Sequence, residues 1–317
     1  MQNAPLTSSI AQGWTDLPHW GVLRAQGADA DSFLHGQLTQ DILGLDASML
    51  RLGGYCTVKG RLQASFLIWR ESPDSVMIAA SADLIPSLLK RLSMFVMRAK
   101  CKLSDAGDSL VLRGVVGADA LAALGLAAGT AAWTHSDVPA GTLLTLPEVD
   151  THPRALWVSA PAVDAPTLPA LPLAHWQWLE VRSALPLISA ATSEQFVPQM
   201  VNFELIGGVN FKKGCFPGQE VVARSQYRGT AKRRSFLYTS PEPARAGQEV
   251  FLATDAEQPA GMVVNAASLS SSEHCALVEV KLAALASALH LGASAGPILS
   301  RLPMPYDVPL ESAAAAP

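Results

Sequence analysis

The apolar positions change period several times along this chain, and each change marks an element. Residues 20–26 read as a short strand, and Asp29 stands where it can cap a helix that buries Phe33 and Leu34. Two apolar runs, 52–58 and 62–69, flank Lys59-Gly60-Arg61, which predicts a hairpin with glycine at the turn. Residues 76–80 form another strand. From Asp83 the apolar positions Leu84, Ile85, Leu88, Leu89, Leu92 and Phe95 keep helical spacing, and an amphipathic helix is expected. Residues 95–103 then alternate, with Arg98, Lys100 and Lys102 on one face, as a half-exposed strand does. A strand over 110–116 and a helix over 118–124 follow.

Residues 127–172 are rich in Ala, Pro and Thr and weakly periodic, so loops and short strands are expected, with 161–172 as the clearest connector. Residues 175–184 read as a helix with Trp178 and Val181 near one face. After Arg234 the pattern is short strands between turns, at 236–239, 249–253, 261–265 and 275–280, as in a small barrel. Residues 313–317 are expected to fray. The pattern alone therefore predicts mixed α and β with a β-rich end.

At 317 residues and 49% hydrophobic composition the chain has material for two or three packed units. Its formal net charge of -4 offers nucleic acid or anionic membrane no general attraction. Residues 212–234 differ: seven lysines or arginines stand against one acid, a local excess of +6. That patch suits an anionic ligand, such as a polyglutamate tail or nucleic acid, or is simply a solvated basic surface. Cys56, Cys101, Cys215 and Cys275 are widely separated, with no Cys-x-x-Cys and no histidine at ligand spacing. This excludes a disulfide framework and assigns no metal site. No stretch approaches the ~20 apolar residues of a membrane helix and no leader pattern opens the chain, so a cytoplasmic protein is expected.

The densest chemistry lies at Lys212-Lys213-Gly214-Cys215-Phe216-Pro217-Gly218-Gln219-Glu220, continued to Arg224. The cysteine stands between lysines and the start of a predicted helix, and both kinds of positive potential favour a thiolate. Glycines 214 and 218 allow close backbone approach. Glu220 and Arg224 are spaced for an i,i+4 pair. The plainer reading is a small buried hydrophobe in a basic loop.

With its flanks, Pro198-Gln199-Met-Val-Asn202 upstream and Arg228-Gly229-Thr-Ala-Lys232-Arg233 downstream, this motif resembles the signature of YgfZ-type folate-binding proteins. These are relatives of the aminomethyltransferase, or T-protein, of glycine cleavage. Residues 27–41, the hairpin at 55–61 and Gly261-Met-Val-Val264 extend the resemblance along most of the chain. It implies an α+β, T-protein-like fold: three lobes round a central opening, with a C-terminal β-barrel. The expected division is a folate-binding region over 14–235, with a ferredoxin-like unit near 62–126, then the barrel over 236–310 and a disordered tail over 311–317.

The resemblance also implies tetrahydrofolate, or a derivative, as cofactor, with Trp20 and Trp178 beside it. Each is otherwise an ordinary core aromatic. Gln199 and Asn202 supply amide edges or form a structural turn; Gly214, Gly218, Gln219, Glu220 and Arg224 complete the expected binding set, and Arg182 is a weaker candidate. Cys215 and Lys213 are the expected reactive pair, with Cys215 at the rim of the folate cavity. The T-protein's essential aspartate has no counterpart in Gly60-Arg61-Leu62-Gln63-Ala64-Ser65-Phe66, so the parent chemistry is not expected. The role implied is that of a folate-binding accessory protein in synthesis or repair of iron–sulfur clusters, with client or assembly proteins as partners and a link to tRNA modification. A folate-dependent one-carbon transferase and an RNA-binding module using the 212–234 patch are the alternatives.

Overall fold

The structure, a computed structural model, describes residues 9–164, 167–227 and 231–310. The expected tail over 311–317 and the Arg228-Gly229 part of the motif lie outside the described residues. The chain starts with β1 (Gly13–Asp16), β2 (Trp20–Gln26) and α1 (Ala30–Gln37), which buries Phe33 and Leu34 as its spacing predicts. Asp29 occupies the N-cap position, but its carboxylate accepts the main-chain N–H of Lys100 at 2.7 Å instead of capping α1. The predicted hairpin is β3 (Leu50–Cys56) and β4 (Leu62–Ser72), with Gly60 at φ +72° in the turn. Next come β5 (Ser75–Ser81) and α2 (Ile85–Val96), whose Ile85, Leu88 and Leu92 face the core.

The strand expected over 95–103 is replaced by the end of α2, a turn and β6 (Lys102–Asp105). Met97, at φ +45°, breaks the helix, and the Asp29 carboxylate holds the turn at Lys100. The apparent alternation was a helix end followed by a turn. Strands β2 to β6 make one antiparallel sheet in the order β3-β4-β5-β2-β6.

The second sheet is assembled from β1, β7 (Val111–Val116), β8 (Thr134–Val138), β9 (Gly141–Val149) and β10 (His152–Ser159), in the order β1-β7-β10-β9-β8. Helix α3 (Ala118–Ala123) packs on it. The stretch 62–126 is therefore not one ferredoxin-like unit, because β4, β5 and β6 belong to the first sheet and β7 to the second. Strands β9 and β10 lie where loops and short strands are expected, but run to nine and eight residues; β10 is buried without interruption from Arg154 to Ser159, so no period of two marks it.

Beyond α4 (Leu173–Arg182) and α5 (Gln219–Tyr227) the chain closes a barrel from β11 (Arg233–Ser240), β12 (Glu249–Leu252), β13 (Gly261–Ser268), β14 (His274–Lys281), β15 (Leu289–Leu291) and β16 (Ile298–Arg301). The last two strands, too short to read from sequence, close it. Two sheets and the barrel form the three lobes. Helix α4 packs against β13 and β14 of the barrel and against β1, so its residues stand where the lobes meet. Among the described residues no helix is long and apolar enough to cross a membrane.

Candidate functional site

The motif loop is held by its own side chains. Asn210 Oδ1 accepts the main-chain N–H groups of Lys212 and Lys213 at 2.9 and 3.1 Å, fixing the turn into the motif. Lys213 then runs to the C-terminal end of α1, where Nζ donates to the Leu38 carbonyl at 2.8 Å and to that of His35. Its ammonium also lies 5.1 Å from the Phe216 ring centroid. A cation is favoured where a helix leaves carbonyls without partners, but burial costs it charge, and the pKa is pushed down to about 8. Gly214 follows in open space, with His35 Nε2 as the neighbour a Cβ would meet, at 3.7 Å.

Cys215 is exposed, while Cys56, Cys101 and Cys275 are buried. The plain reading of Cys215 as a core residue is thereby excluded. Gly218, at φ +78°, sits on the hairpin turn: a Cβ there would come within 2.3 Å of the Thr57 carbonyl oxygen and 2.7 Å of the Gly60 Cα. Only glycine allows the loop to seat this closely. The start of α5 is thus docked onto the tip of the β3–β4 hairpin.

Gln199 and Asn202 each tie distant backbone together through their NH2 ends, while Gln199 Oε1 and Asn202 Oδ1 are buried with no partner among the described residues. Gln199 is buried and its Nε2 donates to the Val222 carbonyl at 2.9 Å, tying α5 to the Pro198–Val201 turn. Asn202, buried and left-handed at φ +57°, donates Nδ2 to the Ser235 carbonyl at 2.7 Å. Glu220 and Arg224 form the expected pair at 2.5 Å in an exposed position, where such pairs contribute little. Arg182 binds Asp150 through two bonds of 2.9 and 2.8 Å. The +6 excess over 212–234 shrinks in three dimensions. Arg224 is paired with Glu220, Arg233 with Glu279 and Arg234 with Glu204, two of these acids coming from outside the window.

A separate cavity of about 40 Å³ lies where the lobes meet. Its walls are Trp20 of β2, Leu52 and Phe66 of the hairpin, Leu146 of β9, and the segment 185–187 that leaves α4. Two charged groups also line it. Glu180 of α4 accepts the Trp20 indole N–H on Oε1 at 2.6 Å, and its Oε2 lies 2.8 Å from His19 Nε2. Burial pushes the Glu180 carboxyl up, but His19 and the Trp20 indole outweigh it and hold the pKa below the ordinary value. Arg154 of β10 is 1% exposed; Nε donates to the Pro147 carbonyl at 3.1 Å, while Nη2 is buried with no partner. Burial lowers the Arg154 pKa to about 10, against the opposing charge of Glu180.

The guanidinium of Arg154 stands 5.6 Å from the Trp176 ring centroid. Gly114 makes room for that ring, since a Cβ there would approach it to 2.4 Å. Trp176 and Glu180 are one helical turn apart and so share a face of α4. Trp178 points elsewhere: it is buried but does not line the cavity. Nor do Cys215, Lys213, Gln199, Asn202, Gly214, Gly218, Gln219, Glu220 or Arg224. Of the expected residues Trp20 lines this cavity, while the Cys215 loop docks on the tip of the hairpin that also lines it. From the Gly60 turn to Ser65 at the cavity is about five residues of β4, roughly 17 Å of strand.

Sequence reading missed both charged residues of the cavity. A signal existed for Glu180, a carboxylate one turn after Trp176 on a face otherwise apolar. Arg154 gives less, a lone cation heading an apolar run inside a weakly periodic stretch of expected loops and short strands.

No protein-family model matches the chain. It is 30% identical over 322 residues to the tRNA-modifying protein YgfZ of Sodalis glossinidius (strain morsitans), covering 96% of each chain. It is 36% identical over 235 residues to the tRNA-modifying protein YgfZ of Edwardsiella ictaluri (strain 93-146), covering 69% of each. Among solved structures, the glycine cleavage system aminomethyltransferase T from Bartonella henselae superposes with a TM-score of 0.73 at 15% identity, covering 96% of this chain and 87% of that one. That likeness carries the three-lobed fold.

Proposed function

The chain belongs to the YgfZ family, and we propose on that premise that it is a tetrahydrofolate-binding accessory protein. Its action would be on iron–sulfur enzymes, those of tRNA modification among them, with Cys215 as its exposed reactive group. The observation that carries the folate reading is the lobe-junction cavity, where an apolar wall and the Trp20 indole meet the half-buried Glu180 and the buried Arg154. A flat, mostly apolar slot with a few convergent polar groups is the general solution for a heterocycle. Trp20, Glu180 and Arg154 would hold the ring, and bound tetrahydrofolate would supply a carrier for one-carbon units. About 40 Å³ holds roughly three waters, so a ring enters only as a wall gives way. The segment 185–187 is the wall without regular secondary structure.

The chain's own contribution at the motif is a thiol in an accessible loop, beside a lysine whose charge is held at the end of α1. The iron–sulfur role is supported by the motif's resemblance and the tRNA link by the relatives' names. The alternative, a one-carbon transferase, would need a proton acceptor. Ser65, in the region where the T-protein places its aspartate, lines the cavity but has its Oγ engaged by the Ile188 N–H at 2.9 Å.

Calorimetric titration of tetrahydrofolate into the wild type and into Glu180→Gln tests the folate reading. Saturable binding weakened at least about tenfold by the variant is expected, and no wild-type binding overturns it. For the cellular role, tRNA from cells lacking the protein should lose iron–sulfur-dependent modified nucleosides. Restoration by the wild type but not by Cys215→Ser is expected. Restoration by both removes Cys215 from the mechanism. Consumption of folate with turnover would favour the transferase.

A further inference from the structure

Arg154 is not explained by the stability of the fold. A guanidinium 1% exposed, with Nη2 facing no acceptor, is a costly arrangement that a fold retains for a reason. Its plane is set on one side by the Trp176 ring and at Nε by the Pro147 carbonyl. Arg154 lines the cavity, and its Nη2 has no acceptor among the described residues. Glu180, in the same cavity, opposes its charge. The cavity therefore offers a buried donor without a net excess of positive charge, which selects a neutral acceptor over a phosphate or carboxylate.

Resting on the folate reading, we propose that Arg154 is the specificity-determining residue of this cavity. Its unpartnered guanidinium N–H groups donate to the 4-oxo oxygen of the pterin ring, so that the site accepts 4-oxo pteridines and refuses 2,4-diamino ones. A 4-amino group would set donor against donor, and a buried group left unpaired rejects an analogue more strongly than a missing apolar contact does. The Trp176 ring and its Gly114 seat are the supports that keep the donor aimed.

The test compares the tetrahydro forms of folate and of aminopterin, which differ at C4, oxo against amino, and with it at N3, which carries a hydrogen only in the 4-oxo ring. Each is titrated calorimetrically into the wild type, Arg154→Met and Arg154→Lys, with the melting temperature of each ligand-free protein. The wild type should prefer the 4-oxo ligand by roughly 10- to 150-fold, the range of a hydrogen bond to a charged group. Arg154→Met should bind the two equally and melt, ligand-free, no lower than the wild type, since it removes an unpaired donor. Arg154→Lys should keep part of the preference. A wild type that binds both forms alike overturns the proposal even if Arg154→Met fails to fold. So does an Arg154→Met that keeps the preference, or one that melts lower while binding unchanged. Binding of neither form by the wild type overturns the folate reading itself.

Discussion

Gly218 rests against Gly60 so closely that a Cβ on the first would stand 2.7 Å from the Cα of the second. This contact seats the loop carrying Cys215 on the tip of the hairpin whose other end lines the cavity. Cavity and Cys215 loop thus share one element of structure.

Gly218→Ala should unseat that loop. The backbone is at φ +78° and the added methyl meets the Thr57 carbonyl oxygen at 2.3 Å, a main-chain atom that cannot rotate away. The expected cost is about 1–3 kcal/mol, read as a lower urea midpoint. The rate at which Cys215 reacts with a thiol reagent should change alongside it.

Native-state thiol labelling should count one fast cysteine per chain. Cys215 is exposed, whereas burial pushes the thiols of Cys56 and Cys275 up to about 12 and raises that of Cys101 as well. Cys215→Ser should abolish the fast phase and change stability by no more than about 0.5 kcal/mol. A fast phase surviving in the variant would place the reactive thiol elsewhere.

Lys213 gives the loop a pH dependence of defined sign. Its pKa falls by burial from 10.5 to about 8. Between these values the unfolded chain holds a proton that the folded chain has released, so this group makes stability rise with pH across the window. Below pH 8 both states are protonated and the contribution is constant. The slope cannot exceed about 1.4 kcal/mol per pH unit, and solvent screening reduces it. Urea midpoints of the wild type and Lys213→Met from pH 7 to 10 should diverge by this slope, and parallel curves would contradict it.

Asn265 should control the yielding wall of the cavity. A register shift in β13 between Val263 and Asn265 precedes a side chain that holds Leu187 from both sides. Its Oδ1 accepts the Leu187 N–H at 3.0 Å and its Nδ2 donates to the Leu187 carbonyl at 2.7 Å. Asn265→Ala removes two hydrogen bonds of about 0.5–1.5 kcal/mol each. Hydrogen exchange at the Leu187 amide should accelerate while β14 keeps its protection. Unchanged exchange at Leu187 would show that the barrel does not hold this wall.

Periodicity in the chain was sufficient for what depends on neighbouring residues. The turn at Gly60, helix α2 through Leu88 and Leu92, and α4 through Val181 follow from local spacing and glycine chemistry. The same holds for the Glu220–Arg224 pair, four residues apart on one helix. The motif around Cys215 was legible because its residues are contiguous. What required the tertiary structure was pairing between distant segments. Strand β7 follows β6 in sequence yet joins another sheet, and no local signal records which partner supplies its hydrogen bonds. Arg154 and Glu180 are 26 positions apart and meet only because β10 and α4 border one cavity. Glu204 and Glu279 neutralise Arg234 and Arg233 from beyond the basic window, a cancellation set by distance in space and invisible to a count along the chain. Cys215 lies outside the cavity lining for the same reason: a strand is stiff, and the hairpin that joins loop and cavity also spaces them.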